Sequence, residues 1–180
     1  MIDVVKTGLP PIARADARLF ILGSLPGDAS LAAQRYYAHP QNQFWRLVGS
    51  VLGEELHSMA YEQRLDRLAD HRVGLWDVIG SAERAGSLDQ AIRNANHNRI
   101  DRLLHEYPAL EAIAFNGGKS AASGRKLIGE ASRIALIELP SSSPANTRPF
   151  AEKAAVWAQL APFCGPPPCA ARPMGQDVTR

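Results

Sequence analysis

Four short stretches hold most of the side chains able to do chemistry, and each follows an apolar run. The first is Gly23-Ser24-Leu25-Pro26-Gly27, continued by Ser30, Tyr36-Tyr37-Ala38-His39-Pro40 and Asn42 ahead of Phe44-Trp45. The second is Trp76-Asp77, the third Phe115-Asn116-Gly117-Gly118-Lys119-Ser120, and the fourth Pro140-Ser141-Ser142-Ser143-Pro144-Ala145-Asn146. Asp77 is the one acid in the apolar run Val-Gly-Leu-Trp-Asp-Val-Ile, where it either faces a ligand or caps the following turn. Asn42, near a helix start, is an N-cap by residue type. Adjacent tyrosines in a loop cannot both face one core, so Tyr36 or Tyr37 lines a crevice, where a flat ring suits a flat heterocycle.

Several chemistries are excluded at this level. Gly117-Gly118-Lys119-Ser120 is similar to the end of a P-loop, but that motif needs a glycine five residues before Gly118, and Ile113 stands there, so nucleoside triphosphate hydrolysis has no support. The two glycines let backbone amides approach a phosphate, or let a helix pack on its strand. A serine hydrolase built from Ser141, Ser142 or Ser143 with His39 or His97 lacks both a Gly-x-Ser-x-Gly elbow and an orienting acid. Cys164 and Cys169 both fall in the last 17 residues, which excludes a disulfide framework. His and Cys do not recur near them at ligand spacing, so no metal or iron–sulfur cluster is expected.

Strands alternating with helices must position these stretches, the pattern of an α/β domain with a largely parallel sheet. Residues 18–22 form a first strand, and Phe44, Leu47, Val48, Val51 and Leu52 recur at helical spacing over residues 43–52. A second helix covers residues 62–70, and residues 73–79 read as one buried strand. A polar stretch follows. Ile100, Leu103, Leu104 and Tyr107 mark a helix ending before Pro108, and residues 112–115 are the third strand. A helix opens at Gly117-Gly118 and runs to Ile128, residues 134–139 form the fourth strand, and the last helix begins near Pro149 and runs through Trp157 and Leu160. In such a sheet the loops at the carboxyl ends of the strands form the ligand crevice, and all four stretches occupy such exits.

With 180 residues, 46% hydrophobic and 21% charged, the chain has the composition of one globular domain. Residues 1–14 read as an N-terminal extension, 15–163 as the domain, and 164–180 as a Pro-rich disordered tail. The apolar run Leu19-Phe20-Ile21-Leu22 is far short of the roughly 18 residues a membrane span needs, and Asp3 and Lys6 interrupt any secretory signal, so a cytoplasmic protein without a membrane partner is expected. Twenty Lys and Arg against 18 Asp and Glu, a net of +2, identify no nucleic-acid partner by bulk charge. A protein gripping a few phosphates locally is still compatible with this balance, and its non-specific affinity then falls with salt.

The string Tyr37-Ala38-His39-Pro40-Gln41-Asn42-Gln43-Phe44-Trp45, with Gly23-Ser24-Leu25-Pro26-Gly27 before it and Pro140-Ser141-Ser142-Ser143-Pro144-Ala145-Asn146 late in the chain, resembles the uracil-DNA glycosylase superfamily. Within it the resemblance is to the hypoxanthine-DNA (deoxyinosine) glycosylase branch, and it covers about residues 15–163. It implies a three-layer α/β/α fold with a central four-stranded parallel sheet. It also implies an enzyme that flips a deaminated base out of DNA and hydrolyses its N-glycosidic bond, selectivity coming partly from weak pairing.

Residue by residue, the resemblance gives Asn42 the catalytic role of orienting water through its carbonyl oxygen, because Leu25 stands where relatives place a polar water-positioning group. Tyr37 stacks on the flipped base, and Asp77 reads it, with Ser24 and Asn116 completing the base site. Ser141, Ser142, Ser143 and Lys119 grip phosphates, and Pro144, Ala145 and Asn146 probe the minor groove or fill the vacated space. Leu139 stands where uracil-specific relatives carry a histidine, which argues against strong uracil excision. No lysine suits a lyase step. The expectation is a monomeric, monofunctional base-excision enzyme that needs no cofactor and leaves an abasic site. A uracil- or xanthine-preferring enzyme of the same fold and a catalytically inactive DNA-binding relative are the alternatives.

Overall fold

The computed structural model describes residues 5–129 and 133–166. Four strands, β2 (Leu19–Gly23), β3 (Val73–Asp77), β6 (Ala112–Asn116) and β7 (Ala135–Leu139), form one parallel sheet in the order β3-β2-β6-β7. β2 lies at its centre, and Gly23 pairs with Asp77 at one end of the register. Its side chains alternate between two buried faces, as expected of a sheet covered on both sides. Leu19 and Ile21 join Phe44, Leu47, Val48, Leu68 and Trp157 on one face, contributed by α2 (Phe44–Leu52), α3 (Tyr61–Asp70) and α6 (Phe150–Trp157). Phe20 and Leu22 meet Ile113, Phe115, Leu103 and Ala121 on the other, under α4 (Leu103–Glu106) and α5 (Gly118–Ile128). Each fully buried side chain of this size contributes about 1.5–3 kcal/mol, so the two faces together fix the three-layer stack.

The run 73–79, expected as one strand, divides. β3 ends at Asp77, the Val78 and Ile79 amides donate to the Gly23 and Ser24 carbonyls, and β4 (Ile79–Glu83) leaves in a second sheet. That sheet is antiparallel, in the order β1-β4-β5, with β1 (Val5–Thr7) and β5 (Arg93–His97). Periodicity cannot reveal the break, because Val78 and Ile79 are as buried as the strand before them. The N-terminal segment is tied in by β1 and by the Ile12–Leu75 bridge. A short helix α1 (Asp28–Ala33), unmarked by apolar spacing, follows the first loop. At the other end the chain docks through Gly165, whose amide donates to the His71 carbonyl and whose carbonyl faces His71 Nδ1. The remainder of the expected tail, Cys169 included, lies outside the described residues. No helix among the described residues is long and apolar enough to cross a membrane.

Candidate active site

The carboxyl ends of β2, β3, β6 and β7 open into one cavity of about 780 Å³, within the size range of ligand clefts. Ser24, Tyr37, Asn42, Asp77, Asn116, Ser141, Ser142, Ser143, Pro144, Ala145 and Asn146 all line it, although they come from four separate parts of the chain. Lys119 does not. It is exposed on the first turn of α5, while its neighbour Ser120 turns inward and donates to the Leu22 carbonyl.

The two tyrosines divide between core and crevice. Tyr36 is buried and its hydroxyl donates to the Pro10 carbonyl at 2.9 Å. Tyr37 has a left-handed backbone with φ of 53°, uncommon for a residue with a Cβ, and one face of its ring stacks on Phe44 at 3.7 Å and 7°. Phe44 is held in turn by Trp45 and Trp157, both close to perpendicular. The ring is therefore backed on one side as a platform inside the cavity. Its hydroxyl has no hydrogen-bond partner, and burial, with Asp77 close by, pushes the phenol well above its ordinary range.

Asn42 caps α2 from one residue outside it: Oδ1 accepts the Phe44 amide at 2.9 Å. This fixes which end of the amide is oxygen, and leaves a second lone pair on that oxygen for another donor. The cap and an outward-facing acceptor are thus compatible in one rotamer.

Asp77 occupies the floor, 3% exposed, with Oδ2 unpartnered. No turn amide donates to that oxygen, so the turn-cap alternative finds no support there. Burial raises its carboxyl to about 8, with the neighbouring Asp89 adding to the rise and Arg84 opposing it. Asp89 is brought in by the loop between β4 and β5 and accepts the Ser24 hydroxyl at 2.6 Å. Arg84, equally buried, donates to the carbonyls of Leu25, Pro26 and Gly86, holding residues 23–27 in place. Leu25 itself packs in a small core with Ile79, Ala82 and Ile92 and offers no polar group.

Asn116 is more committed than a base-reading amide would be. Oδ1 accepts the Ser142 amide and Nδ2 donates to Ser142 Oγ, both at 2.8 Å, so that it ties the serine loop to β6. The Gln43 amide donates to the Ser142 carbonyl, and Trp157 Nε1 to that of Pro140. Lys153, 1% exposed, donates to Gln43 Oε1 at 2.9 Å and to the Asn146 carbonyl at 2.8 Å. Pro144 and Ala145 are left exposed on a loop whose base is rigid. Asp89, Arg84 and Lys153 carry no sequence signal, since charged residues away from a motif read as solvated, and Gln43, though inside the Tyr37–Trp45 string, has no role there that its residue type reveals. Lys153→Met should leave two carbonyl acceptors unpaired and destabilise the fold by about 2–3 kcal/mol, which urea denaturation checks.

A family model described as the uracil DNA glycosylase superfamily matches residues 10–161. Two curated proteins named hypoxanthine DNA glycosylase are similar over most of the chain. The one from Methanosarcina barkeri is 40% identical over 156 residues, 86% of this chain and 96% of its own. The one from Methanosarcina acetivorans is 40% identical over 154 residues, with the same coverage. A solution NMR structure of a Methanosarcina acetivorans protein, provisionally named a uracil DNA glycosylase, superposes with a TM-score of 0.76 at 40% identity, covering 87% of this chain and 99% of that one.

Proposed function

Because the chain belongs to the uracil DNA glycosylase superfamily and is a DNA glycosylase, we propose that its substrate is deoxyinosine in DNA, from which it releases hypoxanthine and leaves an abasic site. The observation that carries this reading is the convergence, in one cavity, of Asn42, the Phe44-backed ring of Tyr37 and the unpartnered carboxyl of Asp77. A protonated carboxyl offers a donor to the ring nitrogens or O6 of hypoxanthine, which a carboxylate cannot. The similarity to two proteins of that name supports the same substrate.

In this reading the base is unstacked into the cavity and lies on the free face of Tyr37. As the glycosidic bond lengthens, the sugar becomes oxocarbenium-like and needs a well-placed water rather than a strong base. Asn42, with one lone pair held by Phe44, presents the other to that water. Leu139, buried at the end of β7, can supply no proton to a uracil anion. No lysine lines the cavity among the described residues, in keeping with simple hydrolysis rather than an imine-forming lyase. The serine loop, the exposed Lys119 and the minor-groove edge of Pro144, Ala145 and Asn146 hold the strand, and the enzyme acts as a monomer.

Single-turnover assays on duplexes carrying hypoxanthine, xanthine or uracil test this. Hypoxanthine is expected to be released fastest, with an unbroken strand until alkali is added. Absence of hypoxanthine release, or faster release of uracil, would overturn it.

A further inference from the structure

Asp77 is the acid closest to the floor of the cavity, and its surroundings hold no direct counter-ion. Oδ2 has no partner. Its Oδ1 packs directly against Gly23: a Cβ there would sit 2.5 Å from Asp77 Oδ1 and 3.3 Å from the Tyr37 hydroxyl, so only glycine leaves room for the carboxyl. The charged and titratable groups that face it are Asp89 and Arg84 from the loop between β4 and β5, and Tyr36 and Tyr37 from the loop before α2. Arg84 spends its guanidinium on the carbonyls of Leu25, Pro26 and Gly86, so its charge reaches Asp77 only at a distance. Asp89 adds a negative charge. The Tyr37 phenol, pushed up by burial, is a poor proton source, and His39 lies exposed at the rim with Nδ1 accepting the Gln41 amide.

A purine leaves a sugar more readily when a ring nitrogen is protonated. We propose that Asp77 is the general acid of the reaction, passing its carboxyl proton to N3 or N7 of the departing purine as the C1′–N9 bond breaks. This rests on the hypoxanthine reading above and assigns the carboxyl a chemical step in addition to recognition. The C1′–N9 electron pair leaves with the purine, which departs neutral; Asp77 becomes a carboxylate. Water adds its oxygen to C1′, and the proton it sheds returns through solvent to Asp77, so that the sum is one water consumed per base released. The raised carboxyl, about 8, keeps this proton in place at neutral pH without preventing its transfer.

The sign of the pH dependence separates this role from simple recognition by a carboxylate. Wild-type single-turnover rates on a deoxyinosine duplex should be level from about pH 6 to 7.5 and fall about tenfold per unit above pH about 8. Asp77→Asn, isosteric and neutral like the protonated acid, should be about a hundredfold slower and lack that limb, with an unchanged circular dichroism spectrum. Substrates with 3-deaza or 7-deaza hypoxanthine identify the accepting nitrogen: on one of them, wild type and Asp77→Asn should converge. A wild-type rate that rises through pH 8, a variant that keeps the limb, or a variant equally impaired on both deaza substrates would overturn the proposal. Failure of the wild type to release hypoxanthine at any pH would instead overturn the substrate reading beneath it.

Discussion

Asn42→Ala should lower single-turnover excision of hypoxanthine by about a thousandfold, the order expected when a nucleophile loses its positioning group. Alanine removes both the acceptor for water and the cap on the Phe44 amide. The cap loss costs about 1 kcal/mol, measurable by thermal melting but too small to unfold the domain. DNA binding should change little, because the Tyr37–Phe44 stack and the serine loop do not depend on the amide. Asn42→Asp separates the two functions. A carboxylate can accept the Phe44 amide and orient water as well, so this variant should recover cap stability and most of the rate. Loss of activity in Asn42→Asp equal to that in Asn42→Ala would remove the carbonyl oxygen from the mechanism.

The second large effect is on stability. Asp77 has its ordinary carboxylate affinity for protons when unfolded and a raised one, about 8, when folded. Below about pH 4 both states hold the proton and the group is neutral in the balance. As pH rises through the range to 8, the unfolded chain releases the proton while the native one retains it, so stability is lost with increasing pH. The loss is complete once the native carboxyl also ionises. At about 1.4 kcal/mol per unit, it is bounded at roughly 6 kcal/mol. Asp77→Asn removes this dependence. Urea denaturation should therefore find the variant similar to wild type at pH 4 and more stable by several kcal/mol at pH 9, while it excises far more slowly. Such a trade between stability and activity is expected of a group held in an unfavourable state for chemistry. Equal pH dependence in the two proteins would mean that Asp77 is not the proton-retaining group.

The parts of this fold that are legible in sequence are those whose partners lie nearby or whose side chains are apolar on both faces. The four parallel strands follow from short apolar runs, and the string from Tyr37 to Trp45 marks the site because its members are local. Tyr37 and Asn42 are both anchored through Phe44, a few residues away. The second sheet escapes notice because β5, Arg93-Asn94-Ala95-Asn96-His97, buries no apolar face and gives no alternation. Asp89 and Arg84 come from the loop that joins two strands of that sheet, so missing it also hides the charges that modify the effect of burial on the proton affinity of Asp77. Lys119, placed at a helix start by its adjacency to a motif, is exposed on the first turn of α5, and what the sequence does not show is that its neighbour Ser120 turns inward. Lys153 reads as a solvated helix residue, and only the folded chain shows it buried between Gln43 and Asn146.

Quantifying the products from a duplex with a single deoxyinosine shows whether this cavity removes hypoxanthine from DNA by hydrolysis. Free hypoxanthine should appear in equal amount to abasic sites, with the strand intact before alkali treatment. Hypoxanthine left attached to the strand, or strand breaks formed without alkali, would contradict removal by hydrolysis.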